Sequence, residues 1–433
     1  ESRGRLLQRP ANYNVIEPDG SYTPILASRS NPLAESMVGK NNYKIYNLDL
    51  YEFLEYKILD ELKFKASIAG SFNLQKYQSF RPAILDVNGR RKSTNQDDTK
   101  TSWTHEDILT YNKTFNKDHT LTALGGFSLQ EFKTEMTKLA VVDNISDAIE
   151  ISNAYGGVDM TNTKATWTAN RLASFFGRIS YSYKGKYLFN SNLRYDGSSR
   201  FGRNKKWGTF PSVSLGWRIS QEKFMQDVKP VSDLKIRASF GISGNNRIGN
   251  YSAIGLLSTG FYPTGDAVQN TVNPSTMPND DLGWERTRQY NVGFELGLFD
   301  NRIRLEGDFY DSRSIDLLLN VPIPTITGYS NQMQNIGKVQ NRGMEFTLNT
   351  KNFTGGDFTW SSNFNISFNK NKVLEVGVDG RPIYGSAPNA NNAFITKPGY
   401  PIASFYGYKY LGVFQSEEEL EKYPHLRNDK VGD

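Results

Sequence analysis

The chain has 433 residues, room for two or three ordinary domains or one large β-structure, and no cysteine, which excludes disulfides, thiolate metal sites and cysteine nucleophiles. Its 51 basic and 45 acidic residues are scattered along the length to a net charge of +6, without the basic stripe that nucleic-acid binding requires. No run approaches the roughly 18 consecutive apolar residues of a transmembrane helix, but that leaves a membrane β-barrel open, because barrel strands are apolar only on alternate residues.

The first residues, ESRGRLLQRP, carry neither an initiating Met nor a signal peptide, and the last are RNDKVGD; both ends are expected to be cuts in a longer polypeptide. From Leu62 the run LKFKASIAGSFNL places Leu62, Phe64, Ala66, Ile68, Phe72 and Leu74 on one side of a strand. Lys63, Lys65, Ser67, Ser71 and Asn73 fall on the other. YLFNSNLRY opposes Tyr187, Phe189, Leu193 and Tyr195 to Asn190, Asn192 and Arg194. LKIRASFGI, RIRLEGDFY and GMEFTLN repeat the division, and FTWSSNFNISFN carries it furthest, with Phe358, Trp360, Phe364, Ile366 and Phe368 against an all-polar set from Thr359 to Asn369.

About twelve such strands are predicted, near 43–58, 61–76, 103–117, 119–134, 171–183, 186–200, 206–219, 232–244, 284–299, 302–318, 336–350 and 357–372. Many exceed the 9–11 residues, roughly, that cross a bilayer at a tilt, whereas globular strands average about 5–6. Short links follow every odd strand. Long links near 77–102, 135–170, 245–283, 319–335 and 373–400 alternate with them, and only DGSSRFGRNKKW is a short link on that side. Alternation alone fits a soluble antiparallel sandwich equally well. Strand length, loop asymmetry and aromatics near strand ends (Tyr183, Tyr187, Trp217, Phe299, Trp360) favour an all-β, transmembrane antiparallel β-barrel.

Catalytic chemistry finds little support. The three histidines, His105, His119 and His425, have no metal-ligand spacing, and no nucleophile elbow, P-loop or dinucleotide fingerprint is present. Acidic neighbours such as Asp280 and Asp281, or the run Glu417–Glu419, read as solvated loop charges rather than a glycosidase pair. The Asn-x-Ser/Thr triplets at Asn112, Asn144, Asn352 and Asn365 read as chance in Asn/Ser/Thr-rich faces. No enzyme activity, metal or cofactor is expected.

Specific wording then narrows the class. RYDGSSRFG with KKWGTFPSVSLGWRISQEKFM, RASFGISGNNRIGNY (237–251), DLGWERTRQYNVGFELGLFDNRIRLEGDFY (281–310), DLLLNVPIPTITGYSNQMQNIGKVQNRGMEFTLN (316–349) and GYPIASFYGYKYLGVFQSEEEL (399–420) together resemble TonB-dependent outer-membrane transporters of the SusC/RagA type. The likeness runs in order from Arg171 to Leu420; residues 1–170 match in strand cadence only. It implies a 22-stranded barrel in the outer membrane of a Gram-negative cell, of which 1–433 would be one segment of about twelve strands. The N-terminal plug, the TonB box and the C-terminal closing strands would lie outside this sequence. It also implies import of large nutrients, glycans or oligopeptides, driven by the TonB complex and assisted by a SusD-like surface lipoprotein. In relatives the acid-rich tail continues into an Asp- and Gly-rich stretch able to hold a cation; the sequence here ends at Asp433, so no metal is argued.

Candidate substrate contacts follow from chemistry and from the resemblance. Asn363, Asn365 and Asn369, with Arg304 and Glu306, are expected to face the lumen, where amides pair with sugar hydroxyls or peptide groups; they serve equally to solvate the wall or to touch a plug. Trp103, Tyr155, Phe261, Tyr262 and Tyr384 are expected in long loops, to stack on sugar rings, pack loops or meet the lipoprotein. Asn245, Asn246 and Arg247 match the family pattern at a strand exit and read as loop-ordering residues with ligand contact as the alternative. A passive porin and a soluble β-rich binding or adhesion module are the competing readings of the whole.

Overall fold

The computed structural model describes residues 14–23, 31–152, 156–265, 267–377, 380–387, 390–410, 412–423 and 430–432; Tyr155 and His425 lie outside them. Twelve long strands pair antiparallel in chain order: β1 (Lys40–Lys57), β2 (Leu62–Arg81), β3 (Lys92–Phe115), β4 (His119–Val142), β5 (Lys164–Tyr183), β6 (Tyr187–Ser198), β7 (Trp207–Arg218), β8 (Val231–Asn245), β9 (Glu285–Leu298), β10 (Ile303–Ile315), β11 (Lys338–Phe353) and β12 (Trp360–Glu375). Each predicted strand corresponds to one of these. A two-residue strand, Gly157–Val158, adds to the end of β4. Each hairpin hydrogen-bonds to the next, so the backbone polar groups of the interior strands are satisfied within one continuous sheet.

The burial of the two faces is inverted relative to a soluble core. Register carries one face across the wall through Phe368, Met344, Phe309, Val292, Ala238, Leu215 and Phe189. The large side chains of this apolar row are exposed or half-exposed, with Phe368 at 58% and Leu215 at 57%. On the opposite, polar face Ser128, Ser174 and Asp196 are buried. The buried apolar clusters lie where strands enter the long links, not between layers. Such a wall is stable only with its apolar side out of water and its polar side turned inward.

The apolar side has a measurable height. On β9 the outward residues run Leu298, Leu296, Phe294, Val292, Tyr290 and then Arg288; on β10 they run Ile303, Leu305, Gly307, Phe309 and then Asp311. The eight residue steps from Leu298 to Tyr290 amount to about 27 Å of strand. At a tilt of about 35–45° that is roughly 20 Å along the barrel axis, close to the band of about 25 Å that barrel walls present to lipid. Gly307 sits beneath the Phe294 and Phe346 rings, where a Cβ would come within 2.5 Å of Phe294 Cε1. The band is thereby packed within the sheet's own surface.

Strands β2 to β5 are 20 to 24 residues long and continue far above the band. This corrects two expectations. The link predicted at 77–102 is largely strand and that at 135–170 is strand at both ends, leaving connections of 82–91 and 143–163. For the first of these, the reason is that KSTNQDDTKTS at the start of β3 is polar on both faces, so no period-2 apolarity is present to read. Trp103 consequently lies within β3 and not in a loop.

The short-turn end is tightly built. Asn116 and Lys117 turn β3 into β4 with φ of 49° and 64°, and Lys184 and Gly185 turn β5 into β6. The longer turn after β7 is anchored by Glu222, whose carboxylate accepts from Tyr187 Oη at 2.7 Å, Trp217 Nε1 at 3.2 Å and Lys186 Nζ at 3.3 Å. The Tyr187 hydrogen bond, then that of Trp217, holds this carboxyl below the ordinary glutamate range.

Two predictions follow from this architecture. Ile366→Arg, in the apolar band, is expected to cost about 2–4 kcal/mol or to block assembly of the membrane-inserted full-length protein. Asn365→Arg, one residue along on the inward face, should leave heat-modifiable migration nearly unchanged, and equal damage from both overturns the assignment of faces. For the turn, a depressed carboxyl stabilises the fold above the unfolded-state pKa of about 4.3 and loses that contribution as pH falls through the lower folded value. Glu222→Gln should therefore lower thermal stability at pH 7, and its difference from wild type should begin to shrink as the melts are taken below the unfolded-state value and vanish only below the lower folded one.

Candidate functional site

Two regions carry the functional chemistry: the inward face of the wall and the rim where the strands enter the long links. On the inward face small polar residues stand in cross-strand pairs. Asn192 Nδ2 donates to Ser212 Oγ at 3.1 Å and Asn190 Nδ2 to Ser214 Oγ at 3.4 Å. Asn192, Ser212 and Ser214, with Ser239, Ser243 and Gln289, line a shallow open groove whose lining includes no charged side chain. Farther along, Lys235 Nζ donates to Glu295 at 3.1 Å and Arg237 Nη2 to Asp308 at 2.6 Å, the inward charges balancing one another. Between β11 and β12, Asn363 donates to Asn349 and Asn371 to Asn341 at 2.8 Å, while Asn365 faces Thr347 in register. The face is thus a lattice of amides and hydroxyls, each able to donate and accept.

The rim is knotted by aromatic residues from links far apart in sequence. Phe201, Phe210 and Trp284 form a buried cluster, with ring centroids 5.0 Å apart for Phe201–Trp284 and 5.1 Å for Phe210–Trp284. Leu172, Ile242, Ile248 and Leu318 pack around them. Trp284 Nε1 donates to the Lys206 carbonyl at 2.9 Å, so the ring's one polar group is satisfied while the rest is buried. Backbone bonds from Gly202 N to Leu282 O (2.9 Å) and Asn204 N to Asp280 O (3.1 Å) lace the 199–206 link to the segment before β9. Asn335 completes the knot: its Oδ1 accepts from Gly283 N at 2.6 Å, and its Nδ2 donates to Gly283 O and Asp316 O. Asp280 pairs with Arg203 at 2.9 Å and Asp281 accepts from Asn204 at 3.1 Å, so both acids tie loops together.

The sequence candidates divide between these regions. Asn363 and Asn365 lie on the inward face of β12, with Arg304 and Glu306 on that of β10. Asn245 and Asn246 lie at the exit of β8 in the rim: Asn245 donates to Glu285 at 3.3 Å, and the Asn246 carbonyl accepts from Arg200 Nη1 at 3.0 Å. Arg247 follows, exposed, its backbone N–H held by Asn245 Oδ1 at 3.0 Å. Tyr262 is on a separate two-stranded hairpin, Leu257–Thr264 with Ala267–Pro274, far out in the link and 62% exposed. Trp103 stands apart from all of these, on the outward face opposite Glu131, which pairs with Arg171. Its position marks the upper edge of the apolar band, where an amphipathic ring sits between lipid and water. Phe201, Phe210, Trp284 and Asn335 were not singled out in sequence as site residues; Phe201 lies in a Gly- and Lys-containing link, Phe210 inside β7, and Trp284 and Asn335 at the ends of long links. Among the described residues no cluster of three or more His, Asp or Glu side chains is arranged to hold a metal ion.

An antiparallel wall with an exposed apolar band, a polar inner face, tight turns at one end and a laced rim at the other defines an outer-membrane-type β-barrel. The family described as TonB dependent receptor-like, beta-barrel matches residues 3–421, and the chain belongs to it. TonB-dependent receptor P39 of Formosa agariphila is 38% identical over 419 residues, 95% of this chain and 39% of that protein. TonB-dependent receptor SusC of Bacteroides thetaiotaomicron is 40% identical over 255 residues, 56% of this chain and 25% of that protein. Among solved structures, the RagAB peptide transporter superposes with a TM-score of 0.81 at 26% identity, over 93% of this chain and 45% of the other. The chain spans less than half the length of the relatives it matches. The ordered motifs of the resemblance, SSRFG, GTFP, DLGW, SGNNRIG and QNIG, converge in the rim knot, so they encode packing and not a reactive centre.

At Gly202 an added Cβ would stand 2.2 Å from the Asp280 carbonyl oxygen, a backbone atom that cannot swing aside. Gly202→Ala should cost about 1–3 kcal/mol of overpacking and open the rim. Limited proteolysis of the full-length protein should then cut within 199–206 and 279–283, while heat-modifiable migration of the wall persists; an unchanged digest would show that the link is not held there.

Proposed function

We propose that the chain is wall and rim of a TonB-energised importer of the SusC/RagA type, resident in the outer membrane, that admits large neutral polar nutrients, glycans before peptides. The observation that carries the reading is the inward groove of Asn192, Ser212, Ser214, Ser239, Ser243 and Gln289. It presents amide and hydroxyl groups without net charge, the chemistry that pairs with sugar hydroxyls. The exposed apolar band of about bilayer height supports the membrane placement, and family membership supports energy coupling through TonB. In this reading a plug fills the lumen against the inward face, and a SusD-like lipoprotein covers the rim. The hairpin carrying Tyr262 and the links laced by Phe201 and Trp284 are the elements nearest that partner. Asn245, Asn246 and Arg247 order the rim, and Asn363 and Asn365 line the solute path. The protein performs transport and no covalent chemistry.

Peptide import is the second reading, favoured by the likeness to the RagAB peptide transporter. Growth of an in-frame deletion strain on defined carbon sources separates the two. Loss of growth on one glycan polymer, restored by the full-length gene and not by a version lacking its TonB-contacting region, is the expected result. Unchanged growth on every glycan together with loss of growth on oligopeptides would transfer the assignment to peptides; growth unaffected by removing the TonB-contacting region would favour a passive channel.

A further inference from the structure

The outward face changes character abruptly above the apolar band between β9 and β12. In register there, Arg288 faces Arg313, Arg313 faces Gln340, and Gln340 faces Lys372. One row nearer the band, Asp311 faces Arg342, which faces Lys370. All these positions continue the outward set that begins with Tyr290, Phe309, Met344 and Phe368 directly below. Five cations thus stand against one carboxylate, a net of four positive charges on four adjacent strands about 4.8 Å apart.

Two of the cross-strand pairs, Arg288 with Arg313 and Arg342 with Lys370, set like charges directly opposite, an arrangement that destabilises a sheet on its own. Asp311 answers only part of this. Its Oδ1 accepts from Arg313 Nε at 3.1 Å, and its Oδ2 accepts from Arg342 Nη2 at 2.7 Å and Gln340 Nε2 at 2.8 Å. It is largely buried beneath the two guanidinium groups, whose side chains remain about half exposed. The carboxylate therefore fixes the two arginines in place and leaves their outer edges open. Arg288, Lys370 and Lys372 are exposed, and among the described residues none has a carboxylate within ion-pair distance. The imbalance is local. On the outward face of β4 and β5, by contrast, Glu131 pairs with Arg171 and Lys133 with Glu135. One row farther out on β9 to β12, Arg286 pairs with Asp316 and Lys338 with Glu375.

We propose that this outward patch, built on Arg288, Arg313, Arg342, Lys370 and Lys372, binds the phosphorylated headgroup of a lipid in the outer leaflet. The acyl chains of that lipid lie on the apolar residues immediately beneath, and its phosphate groups sit between the opposed cations. Arginine pairs, two donors each, match phosphate oxygens, and the two free lysines add charge without fixed geometry. A free phosphate would satisfy the charge, but only a lipid uses both the cations and the contiguous apolar surface, and the lipid is the ligand assigned. The inference rests on the membrane placement of the barrel and not on which solute crosses it.

The test uses full-length protein in neutral detergent. The probes are a diphosphorylated disaccharide glycolipid, the same glycolipid stripped of phosphate, and inorganic phosphate, with retention read by native mass spectrometry and thermal shift. Wild type should hold the phosphorylated glycolipid at least tenfold more tightly than the Arg288→Gln/Lys370→Gln/Lys372→Gln variant, and should show no such difference for the stripped form. Lys223→Gln/Lys229→Gln, at the short-turn end, should match wild type. Equal retention by wild type and triple variant, equal binding of phosphorylated and stripped glycolipid, or a full thermal shift from inorganic phosphate alone would each overturn the proposal. If the triple variant loses heat-modifiable migration, Lys370→Gln/Lys372→Gln decides with the same criteria. A wild type that itself lacked heat-modifiable migration would instead overturn the membrane placement on which the assignment rests.

Discussion

The whole arrangement depends on the satisfaction of backbone hydrogen bonds where water cannot supply them. An apolar band of about bilayer height is tolerable only if every N–H and C=O within it is paired inside the protein. The antiparallel ladder from β1 to β12 does this for each interior strand, hairpin by hairpin. Once the ladder is fixed, the pleat dictates everything lateral: alternate residues go outward to an apolar medium and inward to a polar lumen. The inverted burial, with Phe368 and Leu215 exposed and Ser174 buried, is the direct imprint of that constraint.

The constraint relaxes above the band, and the structure uses the freedom differently on the two parts of the wall. On β2 to β5 the ladder simply continues as strand beyond the band, and at the start of β3 it does so with polar residues on both faces. On β6 to β11 the strands stop sooner, and the links fold inward onto one another through Phe201, Phe210 and Trp284. There the usual rule of burial returns. A small aromatic core, a satisfied indole N–H and the amide of Asn335 hold three separate links as one rim. The stabilising contacts of the rim are therefore of a soluble kind, set on a wall whose own stability is of a membrane kind.

Charge is distributed with the same logic. Beside the amide-lined groove the inward ions Lys235 with Glu295 and Arg237 with Asp308 are paired, and the groove lining itself carries no charged side chain. Most outward ions stand toward the long-link ends of the strands, and on β4 and β5 those at Glu131, Lys133, Glu135 and Arg171 are paired. The excess of positive charge on β9 to β12 stands out against that background, because opposed cations on a sheet surface are a cost unless something anionic lies between them.

All twelve strands were legible in the sequence, since period-2 apolarity is a local property and each strand in the band must display it to meet lipid on one side only. Phe358 to Phe368 and Leu62 to Leu74 state the faces outright. The upper end of β3, Lys92–Ser102, was illegible because a strand polar on both faces has no apolar period to read. The candidate site was legible in part. Asn363 and Asn365 fall on the predicted face, and Asn245 and Asn246 at the predicted strand exit. The rim knot and the outward cations were not, because each joins residues tens of positions apart. Phe201 meets Trp284 by packing between links, and strand register brings Arg288 opposite Arg313 and places Lys372 in the same row two strands farther on. Sequence by itself determined which side of every strand faces which medium, a choice made one residue at a time by hydration. Only the tertiary structure decided which strands are neighbours and at what offset, because register is set by cross-strand hydrogen bonds and turns that no single strand contains.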